Sequence, residues 1–587
     1  MFYAIRLSFV SLLQAMLLLS PIASFAPAQS NRAKQLYFGV VRKAAYKYTQ
    51  THTLSSSSLS PSSSLPRLTK MSATVNFSNE LTPSSETTDI HFIGRKSILE
   101  SLIKSDSSVL KPLQSYNSGS IMEAMIGRLS GGPSGDSSST FVPLDIETDS
   151  NDAEDKFVNL NFVSIPEKVS RHNHHMSPHV ISALVSKVTP KSGKVKIFVA
   201  GSSSGDTTPI AAAIARSFPL YDSKTGDNDK DDKKDLSIDV CFLDESFAAL
   251  SEDSECKYLA SAEAVAKGVR LAAKFGDMPP AELTTDAYAD ECKRIAEELG
   301  ESVTYEEIIG EELNKLQYGG IYGVGKAAEC PPRLITMTYT PPEFSESIAL
   351  CGKGVVYDTG GLSLKPKTGM GGMKHDMGGS AGLLGGFCAA VELKVPTKIT
   401  LLLGIVENAI GPLAVRNDDI LKMHSGKTVE INNTDAEGRL VLGDCVSHAS
   451  KNLDNIDLII DMATLTGAQL VATGKKHAGI LANTEEAEKR AYDAGMRSGD
   501  LVYPLLYAPE LLKHEFASKV ADMKNSVKDR GNAQTSCAGH FIESHIDSSF
   551  EGGWVHVDMA GPSTNGERAT GYGVGLVLAM VNAPELS

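Results

Sequence analysis

Three observations predict a fold of two α/β domains, the C-terminal one built on a mixed, largely buried sheet flanked by helices. Short apolar runs alternate with helix-like stretches over most of the chain. In the C-terminal half these runs are almost continuously apolar, as strands covered on both faces are. Several of them lead into glycine-rich loops that carry carboxylates, where open α/β sheets collect ligands. At 587 residues the chain can hold at least two cores, and its formal charge of −15 argues against nucleic acid as a partner, since phosphate binding needs a basic face. The eight cysteines are scattered, with no pair at the two-residue gap of structural zinc sites, and read as buried thiols.

The N-terminus reads as an address. Arg6, the apolar run from Leu7 to Ile22 and the small residues Ala23 and Ser24 have the form of a secretory signal over 1 to 24. The run is about 16 residues long, too short for a stable membrane span, so no membrane association is expected of the mature form. Residues 25 to 74 are rich in serine and basic, like a transit peptide. The first acidic residue is Glu80; eight of the 56 basic residues precede it, leaving 48 against 71 acidic ones beyond, a balance of −23. The junction IASFAP, with Phe25, resembles the plastid-targeting junction of diatoms and other algae with secondary plastids, which implies plastid import. Secretion, or a cytosolic form translated from Met71, are the competing expectations.

From 75 to 255 the runs FVNLNFVSI (157 to 165), VKIFVAG (195 to 201) and IDVCFL (238 to 243) predict strands of an N-terminal α/β domain. SGGPSGDSSST (130 to 140) and DSKTGDNDKDDKKD (222 to 235) predict surface loops. His172, His174 and His175 suggest a metal, but a polar loop is the simpler expectation. YLASAEAVAKGVRLAAKF predicts a connecting helix over 256 to 275, ending before Pro279 and Pro280. From 276 to 587 the runs at 347 to 357, 399 to 407, 456 to 461 and 555 to 560 predict the strands of the second domain.

That domain carries the chemistry. GKGVVYDTGGLSLKP holds Lys353, Asp358 and Lys365; MKHDMGG holds Asp376; NTDAEGRL holds Asp435, Glu437 and Arg439. Taken alone, NTDAEGRL also fits a helix N-terminus capped by Asn433, Thr434 or Asp435, with the helix running on from Leu440. Carboxylates gathered at strand ends repel one another unless a cation neutralises them, and a two-metal site bound through oxygen resolves this. Asp435 and Glu437, two apart in an extended turn, would then face the same way. Gly438 would let the backbone pass close to the site, and Arg439 offers a fixed fork for an anion. Lys365 can place positive charge beside a developing oxyanion. Lys353 must either stay back from the ions or lose its proton and bind as a neutral amine.

Together, GKGVVYDTGG, MKHDMGG, NNTDAEGRL, DMATLTGA and ADMKNS resemble the leucyl aminopeptidase family of dinuclear metallo-exopeptidases, and the wording is nearer to the branch called probable aminopeptidase-like 1. The resemblance covers about 256 to 587. It implies two divalent ions, zinc or manganese: Lys353 and Asp376 on the tighter one, Asp358 and Glu437 bridging, and Asp435 on the looser. It further implies that Lys365 and Arg439 are catalytic, and that Arg439, with backbone groups around Gly438 and Leu465, holds a bicarbonate acting as base. Substrates would be peptides with a free N-terminus. Asp376 would hold the amino group, and Met373 and the stretch from Thr464 to Gly467 would line the pocket for the first, Leu-like side chain. The resemblance implies a homohexamer. A two-metal phosphohydrolase, or an inactive hexameric assembly protein on the same fold, are the alternatives.

Overall fold

A computed structural model describes residues 73 to 586, except 114–117, 145–155, 225–234, 252–256 and 584–585. The expected targeting segments up to residue 72, and most of the charged insertion at 222 to 235, lie outside the described residues.

The first sheet contains β1 (Thr74–Phe77), β2 (Thr87–Arg95), β3 (Asp136–Leu144), β4 (Lys156–Ile165), β5 (Gly193–Ala200) and β6 (Leu236–Leu243). Their spatial order is β1-β6-β5-β2-β4-β3, and every neighbouring pair is parallel except β3 with β4. Parallel neighbours need crossover connections, and helices supply them here. On one face, α1 (Lys96–Lys104) and α2 (Ser118–Arg128) bury Leu99, Leu102, Met122 and Ile126 against Phe92, which stacks between Phe162 and Phe198. On the other face lie α3 (Pro178–Val188) and α4 (Ser204–Arg216).

The alanine-rich segment forms α5 (Tyr258–Asp277) and stops before the two prolines. Its buried side chains, among them Val265, Val269 and Phe275, belong to one core that reaches both the first sheet (Ile197, Val240) and the second (Ile348, Leu350). Next come α6 (Thr285–Leu299) and the eight-stranded sheet: β7 (Val303–Ile309), β8 (Arg333–Tyr339), β9 (Glu346–Asp358), β10 (Thr397–Asn408), β13 (Leu458–Ala463), β14 (Ala478–Ala482), β15 (Val502–Pro504) and β17 (Gly553–Asp558). The short β11 (Ile420–Lys422), β12 (Thr428–Glu430) and β16 (Met523–Lys524) make a separate three-stranded sheet. The large sheet has the order β15-β14-β17-β13-β9-β10-β8-β7. Within it β17, β13, β9 and β10 are successive parallel neighbours, and antiparallel strands flank them on both sides. The sheet is therefore mixed, and four carboxyl ends open on one edge.

The near-continuous apolar character of β9 follows from its coverage. Ile348 and Leu350 enter the core that includes Leu383, Leu384 and Phe387 of α7 (Gly378–Glu392) and Val577 of α10 (Val574–Met580). Ala349, Cys351 and Val355 enter the opposite core, with Leu440 and Val441 of α8 (Gly438–Asn452) and Phe541 of α9 (Gln534–Glu543). The pleat sends alternate side chains to opposite faces. Lys353 belongs by this alternation to the α8 face, where the site lies.

Candidate metal centre

Lys353 occupies the middle of β9 and Asp358 its last position; five residues apart, they would face opposite ways on a regular strand. The pairing of β9 with β10 is irregular here: Val355 pairs with Val406 and Tyr357 with Glu407, so β9 carries one extra residue. Such a bulge shifts the alternation by one and brings Asp358 to the side of Lys353. Asp358 is then fixed through Oδ1, which accepts from Gly360 N at 2.8 Å and from Asn408 Nδ2 at 2.8 Å. Gly360 adopts φ +84, and a Cβ on it would fall 2.8 Å from Asp435 Oδ1, which is why a glycine turns the chain there.

NTDAEGRL is shaped as a turn followed by a helix, which corrects two expectations. Ala436 N donates to Asn433 O at 3.2 Å and Asp435 N to Asn433 Oδ1 at 3.1 Å, closing a tight turn in place of an extended one. Helix α8 begins at Gly438, two residues before the expected start, and Glu437 precedes it in helical geometry with no side-chain cap. Asn433, Thr434 and Asp435 therefore do not cap the helix; the side chains of Asn433 and Thr434 hold the turn and that of Asp435 meets Lys365. Thr434 Oγ1 donates to Gly360 O at 2.7 Å and accepts from Ser363 N at 2.7 Å. A Cβ on Gly438 would lie 2.6 Å from Lys353 Cε, so this glycine lets the helix start pass over the buried lysine.

The seven expected chemical side chains come together. Lys353 Nζ donates to Asp376 Oδ1 at 2.8 Å and to Thr464 O at 2.9 Å, and lies 3.0 Å from Glu437 Oε1. Lys365 Nζ lies 2.7 Å from Asp358 Oδ2 and 2.5 Å from Asp435 Oδ1. Carboxylate oxygens of Asp358, Asp435 and Glu437 all lie within 4.8 Å of one another. Burial, then Glu437, push the Asp358 carboxyl up to about 6, with Lys365 and Lys353 pulling it back. Burial also raises Asp376 and Asp435, whereas for Glu437 the two lysines outweigh burial and lower it. Burial opposes the Lys353 ammonium, but Asp376, Glu437 and Asp358 outweigh it and hold the proton on. Four carboxylates thus face two lysines, an excess of negative charge in a buried place.

Two oxygens in this cluster, Asp376 Oδ2 and Glu437 Oε2, are buried without a hydrogen-bond or ion-pair partner, and a third, Asp435 Oδ1, has only the Lys365 ammonium. Buried acceptors of this kind ordinarily have partners. Oxygen donors with an excess negative charge, some of them unpartnered, fit divalent cations, and Lys353, Asp358, Asp376, Asp435 and Glu437 are the residues that could hold them. Arg439 is buried, donates from Nη1 to Asn525 O at 3.1 Å, and has a buried Nε without a partner. Burial pulls its pKa down to about 10, so an anion beside it would be stabilising.

The cluster forms the floor of a cavity of about 1060 Å³, whose walls include Met373, Thr464, Leu465 and Gly467. Leu465 N already donates to Asp558 Oδ1, at 3.2 Å, and so is only weakly available to another acceptor. Three supporting contacts are absent from the sequence reading, which names Thr464 only as part of the pocket wall and gives Asn525 and Asp558 no role. Asn525 donates from Nδ2 to Asn433 O at 2.7 Å and Ala436 O at 3.2 Å, holding the turn; its signal was the motif ADMKNS. Thr464 Oγ1 donates to Asp376 Oδ1 at 2.9 Å, and Asp558 accepts from Thr466 Oγ1 at 2.6 Å. The His174 loop is anchored, not freely solvated. His174 is buried and accepts from Met176 N, and His175 meets Asp206 at 2.5 Å while its Nδ1 faces Arg95. With both Nδ1 atoms accepting, each Nε2 carries hydrogen and offers no lone pair to an ion.

Comparison with known proteins places the whole chain. The model of the cytosol aminopeptidase family catalytic domain matches residues 270–578, and that of the M17 aminopeptidase N-terminal domain 2 matches 135–227. The chain is 47% identical over 424 residues to the probable aminopeptidase NPEPL1 of Homo sapiens, covering 72% of this chain and 80% of that one. It is 41% identical over 423 residues to leucine aminopeptidase 1 of Caenorhabditis elegans, covering 71% and 82%. The apo structure of leucyl aminopeptidase from Trypanosoma cruzi superposes with a TM-score of 0.77 at 37% identity, over 88% of this chain and 98% of that one. The Trypanosoma brucei leucyl aminopeptidase in complex with bestatin gives 0.75, also at 37%, over 88% and 96%. A cluster of carboxylates and lysines beyond four parallel strand ends, within a chain matched over most of its length by such relatives, leaves one conclusion: the chain belongs to the cytosol aminopeptidase family and is a metallo-aminopeptidase of the leucyl aminopeptidase type.

Proposed function

We propose that the protein removes single N-terminal residues, Leu-like and apolar, from peptides, with two divalent ions, zinc or manganese, held by Lys353, Asp358, Asp376, Asp435 and Glu437. The observation that carries this reading is the pair of unpartnered oxygens, Asp376 Oδ2 and Glu437 Oε2, in a cluster where Glu437, Asp358 and Asp435 bring carboxylate oxygens within 4.8 Å of one another. Ions bound there would polarise the scissile carbonyl and lower the pKa of a water enough for attack near neutral pH. Among these carboxylates Lys353 keeps its proton; to serve as a ligand it must release it, and divalent charge in place of the proton favours that release.

Asp376 takes the substrate's amino group, which restricts cleavage to the first residue. The side chain of that residue rests against Met373 and the segment from Thr464 to Gly467, in which Thr464 and Leu465 are half-buried, Thr466 buried and Gly467 exposed. Lys365, whose side chain is 16% exposed, reaches the cavity from between Asp358 and Asp435 and brings positive charge to the developing oxyanion. Arg439 stands at the start of α8, where the first N–H groups have no intrahelical partner. Guanidinium and helix terminus together suit a small anion, and a bicarbonate there would act as the base that takes the water's proton. Gly438 would offer its N–H to that anion, and Leu465 would join by giving up its long bond to Asp558.

We further propose a homohexamer and import into a plastid. The purified protein, supplied with Mn²⁺ or Zn²⁺, is expected to release leucine from Leu-peptides, and sedimentation is expected to give six copies. An assembled protein inactive with both ions would overturn the catalytic reading.

A further inference from the structure

A second cavity, of about 1140 Å³, adjoins the catalytic one: Tyr221, Asp222, Lys224, Thr564 and Arg568 line both. Its own walls come from α3, from the end of α4 and from the loop before β14. Together with the loop before β5 they carry the cations Lys191, Arg216, Lys475 and Lys476, beside His179, against the two carboxylates Asp222 and Asp500. In a chain of net charge −15 this is an unexpected concentration of positive charge.

Asp500 does not neutralise the lysines, and Asp222 leaves a single negative charge on the wall the two cavities share. Asp500 is buried and committed: it meets Arg216 at 2.5 Å through Oδ1, and its Oδ2 accepts from Gly573 N and Gly575 N at 3.0 Å. Arg568 is likewise engaged, with Asp277 at 2.9 Å. Among the described residues, Lys191, Lys475 and Lys476 have no carboxylate within ion-pair distance. Lys476 is exposed as a residue, but partial desolvation of its ammonium within the cavity, then Arg216 and Lys475, lower its pKa; burial, Lys476 and His477 lower that of His179. Cations that destabilise one another raise the local potential, and an incoming anion recovers that energy.

We propose that this basic cavity is an extended substrate subsite that takes acidic residues of the peptide downstream of the scissile bond. Continuity supports a peptide: the two cavities share a wall, so a chain with its first residue at the metal centre can continue past Thr564 and Arg568 into the lysines. The volume accommodates several residues, and the unpaired cations stand on two separate loops, Lys191 before β5 and Lys475 with Lys476 before β14, which suits more than one carboxylate better than a single small ion. The inference rests on the aminopeptidase reading above and names the substrates that site selects.

The test uses the purified full chain with its metal and two series of amidated peptides that begin Leu-Ala. One series carries a Glu pair moved stepwise from the third to the sixth residue; the other carries Gln at the same places. The expected result is a kcat/KM about tenfold higher for the best-placed Glu peptide than for its Gln partner, the size of two or three partly screened charge pairs. The preference should vanish at high salt. It should invert in the exposed double variant Lys475→Glu/Lys476→Glu and persist in Lys475→Arg/Lys476→Arg. Equal turnover of both series by the wild type, or a preference that both double variants retain, overturns the subsite. Failure to cleave either series, or Leu-amide, overturns the aminopeptidase reading instead.

Discussion

Glu437 and Arg439 stand two residues apart and are expected to fail in different ways. Glu437→Ala removes a carboxylate from the cluster, so metal content, measured by elemental analysis, and activity should fall together. Arg439→Ala removes a cation that bonds to Asn525 O and to none of the clustered carboxylates, so metal should stay while kcat drops by roughly 100-fold or more, the usual size of a general-base effect. Loss of metal in Arg439→Ala would show that its role is wrong. Gly438→Ala tests the contact between them. The added Cβ meets Lys353 at 2.6 Å, where overpacking costs about 1–3 kcal/mol, and a displaced Lys353 should cost at least about tenfold in metal affinity. The identities of these residues were legible because acids, lysines and an arginine stood in short motifs beside glycines. Their supporting contacts were not. Asn525, Thr464 and Asp558 act from segments distant in the chain, and ordinary polar residues carry no mark of the partner they will meet.

At the scale of elements, α8 shows what periodicity can and cannot reveal. Its apolar residues were visible from Leu440 onward, but its start was not, because the residues that look like caps are drawn into a turn by Asn525 and Gly360. The bulge in β9 was invisible too; an extra residue in a run of valines leaves the composition unchanged and only shifts the register. Helix α8 also lies close to a buried histidine: a Cβ on Gly443 would fall 2.9 Å from the ring of His545, whose Nδ1 faces Ser425 Oγ at 2.7 Å. Burial pulls His545 down to about 3. Its folded pKa lies below the ordinary 6.5, so the unfolded chain binds the extra proton first, and stability present above pH 6.5 is lost as pH falls toward 3. This one group contributes about 1.4 kcal/mol per pH unit across that window. Chemical denaturation of His545→Asn at a series of pH values should show a stability curve shallower than that of the wild type by this slope.

At the scale of the whole molecule, the α/β class and the long connecting helix were legible because alternation of apolar runs survives at low resolution of thought: strands and helices differ in period. The order of strands was not, since it depends on crossovers that no local pattern encodes. Residues 1 to 74 fused to a fluorescent protein should deliver it to the plastid of an alga with secondary plastids; fluorescence in the medium or the cytosol would sink the two-step address.

The place of β17 has a consequence in time. It is the last strand of the large sheet in the chain, yet it lies inside the sheet, between β13 and β14, and its final residue, Asp558, holds the loop at Thr466. A growing chain that has emerged only as far as β15 leaves a gap in the sheet and that loop untethered. The cavity wall from Thr464 to Gly467 is therefore held in place only after β17 has emerged and entered the gap between its two neighbours.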